Sequence, residues 1–322
     1  MKTLYIVGNG FDKAHGLKTS YWDFRCFLDE KYPEFLYQFE KMYNIEPMDP
    51  TEYGYSLEAQ ERWDKNVNHT LWSEFENEIG HPDIEEMIGF STCILNDLDL
   101  ETGNIGIEDT MNEYWQSEYG FIKNFPQYVK EWISTVDTTS VIPQKRSLIG
   151  NDNDLFFCFN YTDTLENVYK IESVMHIHGS IASDFDLEPI MGHCNSKDIR
   201  NHLELHYEAQ EQFDEGESSI HNAVADYLKI LFKDTKHIIE LNNWFFQAMK
   251  NVNRVVIIGW SAGDVDIPYL VEIKKWIDKS AKWFVYYYDD KAKESIENAL
   301  KKTEISSSFP IEYLPALDFW NE

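Results

Sequence analysis

The chain has 322 residues, of which 43% are hydrophobic and 15% aromatic, enough for a large core and too apolar for wholesale disorder. Its formal net charge is −29, and no basic stretch longer than a pair such as Lys145-Arg146 interrupts the acidity, so DNA and RNA are not expected partners. The four cysteines (Cys26, Cys93, Cys158, Cys194) form no C-x-x-C, which argues against a Cys-rich structural zinc site and for a reduced, cytoplasmic protein.

The first continuous apolar run, "TLYIV" (3–7), reads as a buried strand and is too short for a signal peptide. It breaks at Gly8-Asn9-Gly10. A dinucleotide fingerprint requires G-x-G-x-x-G, but the sixth position is Lys13 and the next glycine Gly16, so the hydride-transfer pattern fails. A Gly-x-Gly after a strand can still bring backbone N–H groups to a pyrophosphate; an ordinary tight turn fits equally well. Residues 20 to about 137 then carry apolar spacings of three and four in "WDFRCFLDEKYPEFLYQFEKMY", "EAQERWDKNVNHTLWSEFENEI" and "EYWQSEYGFIKNFPQYVKEWIS", the pattern of amphipathic helices. A polar connector, "TTSVIPQKRSLIGNDND" (138–154), leads back. Nowhere does the chain approach the roughly 20 apolar residues of a membrane span.

"LFFCF" (155–159) and "VMHIH" (174–178) are the next strand candidates. Asn160 follows the first of them, where open α/β sheets bind ligands and where an amide can orient a water or a ribose hydroxyl. Asp163 with Glu166 fits a capping box. His176 and His178 alternate, so both are expected on one face of the strand. His178 is favoured as functional because Gly179 allows close approach; with His193 the two histidines could instead hold a metal. The irregular "ASDFDLEPIMGHCNSKD" (182–198) precedes a helical pattern to about residue 250. "RVVIIG" (254–259) and "WFVYYY" (283–288) complete the strands, and "DDKAKESIENALKK" is a helix with early acids and late lysines. Between them, "GWSAGDVDIP" is a strand-to-helix turn in which Ser261 reads as an N-cap or phosphate contact. It also matches the bare G-x-S-x-G of a nucleophile elbow, without triad partners in the expected order.

Continuous rather than alternating apolar runs predict a mostly parallel sheet covered on both faces. The expected architecture is α/β, a Rossmann-like sheet flanked by helices. Residues 1–19 and 154–322 build the nucleotide-binding domain, and 20–153 form a mostly helical insertion and connector after the first strand.

Taken in order, "IVGNGFDKAHGLKTSYWDF", "LWSEFE" (71–76), "FNYTDTLENVY", "HIHGSI" and "GWSAGDVDIPYL" resemble the bacteriophage abortive infection AbiH family over nearly the whole chain. More distantly, the same order is similar to sirtuin-like NAD hydrolases of antiphage systems. In that likeness Gly8 and Gly10 match the first glycines, with Asn9 in place of alanine. Asn160 matches the catalytic asparagine, with Thr162 intervening before Asp163, and His178 matches the catalytic histidine. Ser261 with Asp264 match the last turn. The zinc-binding cysteines of deacylating sirtuins have no counterpart, which argues against deacylation.

The resemblance implies an antiphage protein that hydrolyses NAD as substrate, without a metal. Gly8, Asn9, Gly10, Phe11, Asp12, Asp163, Ser261 and Asp264 would bind the nucleotide, and Tyr21 to Phe24 would cover the nicotinamide ribose. His178 would act as general base and Asn160 would hold the attacking water. The helical insertion would close the site and either receive a phage-derived trigger or form a homo-oligomer. The alternatives are a metal-dependent hydrolase using His176, His178 and His193, and a nucleotide-sensing module without catalysis.

Overall fold

The structure is a computed structural model that describes residues 2–49, 51, 54, 56–97, 106–182 and 188–321. Six parallel strands form one sheet: β1 (Lys2–Val7), β2 (Leu155–Cys158), β3 (Val174–His176), β4 (Val252–Ile258), β5 (Lys282–Tyr287) and β6 (Ile311–Pro315). Their order across the sheet is β3-β2-β1-β4-β5-β6. This is the doubly wound Rossmann order, in which the winding reverses between β1 and β4. The α/β, Rossmann-like expectation is met. Five of the strands fall on the five predicted runs, and β6 is additional.

Strand alternation explains why the runs are apolar throughout. Leu4, Ile6, Phe157, Val255, Ile257, Trp283 and Val285 pack on one face of the sheet, against helices that contribute Ile238, Phe246, Tyr269, Leu270, Ile273, Ile296 and Leu300. Val7, Phe156, Cys158, Val256, Ile258 and Tyr286 pack on the other, against Phe11, Leu165, Val168, Tyr169 and Phe319. A sheet buried on both faces needs apolar residues at every position, which is the pattern of parallel sheets.

By internal packing the chain forms two compact units. One comprises Met1–Phe24, Val129–Ile190 and Asp234–Glu322 and holds the sheet; the other comprises Arg25–Tyr128 and Met191–Lys233. The sequence division at 20, 153 and 154 follows where strands stop and start, whereas these limits follow packing. In the helical unit, Glu40 takes a two-pronged ion pair from Arg25 (Nε to Oε1 2.7 Å, Nη2 to Oε2 3.0 Å) and accepts from Trp72 Nε1 at 2.7 Å, all buried. The long pattern that runs to about 250 is divided into Ser196–Glu211, Glu215–Ile230, Thr235–Leu241 and Asn243–Gln247. Asp214 and Asp234 impose two of the breaks, each accepting a backbone N–H of the helix it starts. Of the irregular stretch 182–198, residues 183–187 lie outside the described residues. No helix among the described residues is long and apolar enough to cross a membrane.

Candidate active site

The carboxyl ends of β1 and β4 flank the point where the winding reverses, the place where open α/β sheets leave a crevice. Here they are joined tightly. Gly8 N–H donates to Ile258 O at 3.0 Å and Gly10 N–H to Gly259 O at 2.7 Å. A Cβ on Gly8 would lie 2.5 Å from Trp260 Cα, and one on Gly10 2.7 Å from Gly259 Cα. Both glycines are therefore required by backbone-to-backbone packing, and these two N–H groups are engaged inside the protein rather than turned to a pyrophosphate. Asn9 pins the following loop: its Nδ2 donates to Thr19 O at 2.7 Å and its Oδ1 accepts from Thr19 Oγ1 at 2.5 Å. Phe11 is a core residue, ringed by His15, Tyr169 and Trp320.

Asp12, in the short helix Asn9–Ala14, is fully buried. Its Oδ2 accepts from Thr162 Oγ1 at 2.6 Å, and Thr162 lies 3.1 Å from Thr164 Oγ1. Its Oδ1 has no hydrogen-bond partner. Burial pushes its pKa up from the ordinary 3.8 to about 6, against the lowering effect of Thr162, Thr164, Asn160 and His176.

Asn160 and His178 occupy equivalent places on adjacent strands. Cys158 and His176 are the last paired residues of β2 and β3, and each candidate follows its strand end by two residues. Asn160 is buried, with Nδ2 donating to Gly8 O at 3.2 Å. His178 is buried between Phe159 and Tyr269, each ring 5.4 Å from its own. Its Nε2 lies 3.6 Å from Asp266 Oδ1, and Asp266 Oδ2 accepts from Trp260 Nε1 at 2.9 Å.

The two histidines do not share surroundings as their alternation predicts. β3 ends at His176, and the chain turns there, with Gly179 N–H bonded to His176 O at 3.1 Å. The turn carries His178 toward Phe159 and Tyr269, while His176 remains beside Cys158 and Glu166. Both nitrogens of His176 are engaged, Nδ1 with Asn160 O at 2.7 Å and Nε2 with Glu166 Oε1 at 2.8 Å. His193 belongs to the helical unit, where its Nε2 meets Leu228 O at 3.0 Å and its Nδ1 accepts from Asn195 N–H at 3.1 Å. Two of the three proposed metal ligands thus have both ring nitrogens in use. Among the described residues no group of three or more His, Cys, Asp or Glu could hold a metal ion.

Three other predicted residues stand differently from expectation. Asp163 starts the helix Thr164–Tyr169 without capping it; its carboxylate instead accepts from Thr138 Oγ1 and Asn167 Nδ2, each at 2.5 Å. The capping box is therefore absent, because Glu166 is drawn to His176. Ser261 is exposed and is not an N-cap, since Gly263 holds that position. The positive φ angles of this turn fall on Gly259 (70°) and Ala262 (62°), so Ser261 is not the strained residue that a nucleophile elbow requires. Asp264 points outward to Lys302 Nζ at 2.6 Å, and Asp266, two residues on, is the acid that faces His178.

Sequence reasoning passed over Asp266, Trp260, Thr162 and the His176–Glu166 pair as site residues. Pro268, in the first turn of the helix Ile267–Trp276, is the signal that places Asp266 at the helix start. A step of two from Asn160 is the signal for Thr162.

The fold and the site define a Rossmann-like α/β protein with a buried polar cluster at the carboxyl ends of β1, β2 and β3. The family model for bacteriophage abortive infection AbiH matches residues 4–287, and the chain belongs to this family. The family indicates a role in phage abortive infection. No curated protein and no solved structure matches the chain.

Proposed function

We propose that the protein hydrolyses the bond between nicotinamide and ribose in NAD, giving nicotinamide and ADP-ribose, as its part in abortive infection. The observation that carries this reading is the pairing of Asn160 and His178 at equivalent positions past adjacent strand ends, with a carboxylate, Asp266, 3.6 Å from the His178 ring. In the proposed reaction, water adds to C1′ of the ribose as the C1′–N bond breaks. The electron pair of that bond stays on the leaving nicotinamide, which departs neutral. His178 accepts the proton of the water, and Asp266 stabilises the imidazolium that results. Asn160 holds the water: with Nδ2 on Gly8 O, its Oδ1 is the atom left to accept from a hydroxyl. Asp12 Oδ1, unpartnered and buried, suits a ribose hydroxyl donor. Phe159, Trp260 and Tyr269 supply apolar walls, which strengthen electrostatic stabilisation of an oxocarbenium-like state.

Chromatography of NAD incubated with the purified protein tests this. Nicotinamide should appear in step with ADP-ribose and persist in the presence of a chelator. Tight NAD binding without turnover would favour a sensing module, and loss of activity on chelation would favour a metal-dependent reaction.

A further inference from the structure

His176 touches the candidate site without belonging to the reaction proposed for it. Its ring lies between two acceptors: the carbonyl of Asn160 (2.7 Å from Nδ1) and the carboxylate of Glu166 (2.8 Å from Nε2). A neutral imidazole carries one N–H and can satisfy one of them; only the imidazolium donates to both. The His176 ring is buried, its side chain 4% exposed, while the Glu166 side chain is 26% exposed, so the ring is screened from water and its carboxylate partner is half-buried. Asn160 is then held from two sides, by its side chain and by its carbonyl. Gly8 O, at the end of β1, accepts from its side chain, and His176, at the end of β3, donates to its carbonyl.

We infer that His176 is kept as an imidazolium by Glu166 and is the positioning residue of Asn160, fixing the backbone that carries the Asn160 amide. The catalytic half of this inference rests on the NAD reading; the charge state and the positioning do not. The groups that face His176 are Glu166 on the helix Thr164–Tyr169, Cys158 on β2 and Asp12 on the helix Asn9–Ala14. Burial by itself lowers the basicity of the ring, but Cys158 and Glu166 beside it carry it well above the ordinary 6.5. Cys158 is itself buried, and burial pushes its thiol up, so the carboxylate is the lasting counter-charge.

The test is nitrogen NMR of protein labelled at histidine, with the His176 signals identified by their loss in His176→Gln. In the wild type, both His176 nitrogens should show the protonated pattern at pH 7.5 and hold it to pH 8. Glu166→Gln keeps the volume and a hydrogen-bonding group but removes the charge, so the ring should titrate below pH 7 and the Asn160 side-chain amide signal should move as it does. In turnover, kcat of Glu166→Gln should fall by about 10²-fold at pH 8, with KM little changed, recover toward wild type as pH falls, and be restored in part by Glu166→Asp. A neutral His176 in the wild type at pH 7.5 overturns the inference whatever the activity. An Asn160 amide signal unmoved in Glu166→Gln overturns the positioning role. If the wild type leaves NAD intact, the proposed reaction fails, and the two NMR results alone decide the inference.

Discussion

Asp12 shows how far a single residue can be read and where reading stops. The sequence places an acid two residues after a Gly-Asn-Gly turn; only the structure reveals the short helix that carries it and that it is fully buried with one oxygen unmatched. Its pKa of about 6 makes it a stability switch with a defined sign. The folded protein holds this proton more tightly than the unfolded chain, so the stabilisation is complete below about pH 4 and is lost as pH rises through about 6. The rise from 3.8 to about 6 corresponds to about 3 kcal/mol. Asp12→Asn removes the ionisation, so its stability relative to the wild type should rise by about 3 kcal/mol between pH 4 and pH 7.5, measured by urea denaturation. A difference that stays constant with pH would show that Asp12 is not held as the acid. Asp264 and Asp266 teach the same lesson. They are two positions apart in one short turn, which sends one to solvent and Lys302 and the other to Trp260 and His178. Composition cannot tell them apart; the direction of the turn does.

Elements were legible where one physical rule dominated. Double-sided burial made five strands readable as apolar runs, and β6 escaped because it is half exposed, follows Pro310 and ends on Pro315 at the sheet edge. The Gly8–Gly10 turn was visible as an element but not in its purpose, which is set by a partner strand some 250 residues away. That purpose gives a direct consequence. Gly10→Val would press a Cβ to 2.7 Å from Gly259 Cα, in a junction made of backbone that cannot rotate away. It should cost about 3 kcal/mol or more and lower the melting temperature sharply. A variant that melts like the wild type would mean that the junction is looser than its hydrogen bonds indicate. In the helical unit, Glu40→Ala removes the buried carboxylate that pairs with Arg25 and accepts from Trp72. It should destabilise by about 3–5 kcal/mol, while the paired change Arg25→Met with Glu40→Leu should cost much less. Equal losses in the two proteins would contradict a dominant unpaired-charge cost.

At the scale of the whole molecule, the alternation of apolar runs with helical patterns was enough for an α/β architecture, but strand order was not, because nothing local encodes which strands neighbour each other. The order β3-β2-β1-β4-β5-β6 brings together the ends of strands separated by about 150 residues, and so places Gly8, Asp12, Asn160 and Thr162 in one cluster. Membership of the AbiH family sets the role as phage abortive infection, and the chemistry proposed for it lies at these strand ends. The most direct measurement is NAD turnover by Asn160→Ala and His178→Ala beside the wild type, with a thermal melt of each protein. Turnover should fall by roughly 10²- to 10⁴-fold in both, with NAD still bound and the melting temperature nearly unchanged. Wild-type turnover in variants that melt at lower temperature would mean that Asn160 and His178 hold the fold and do not carry the reaction.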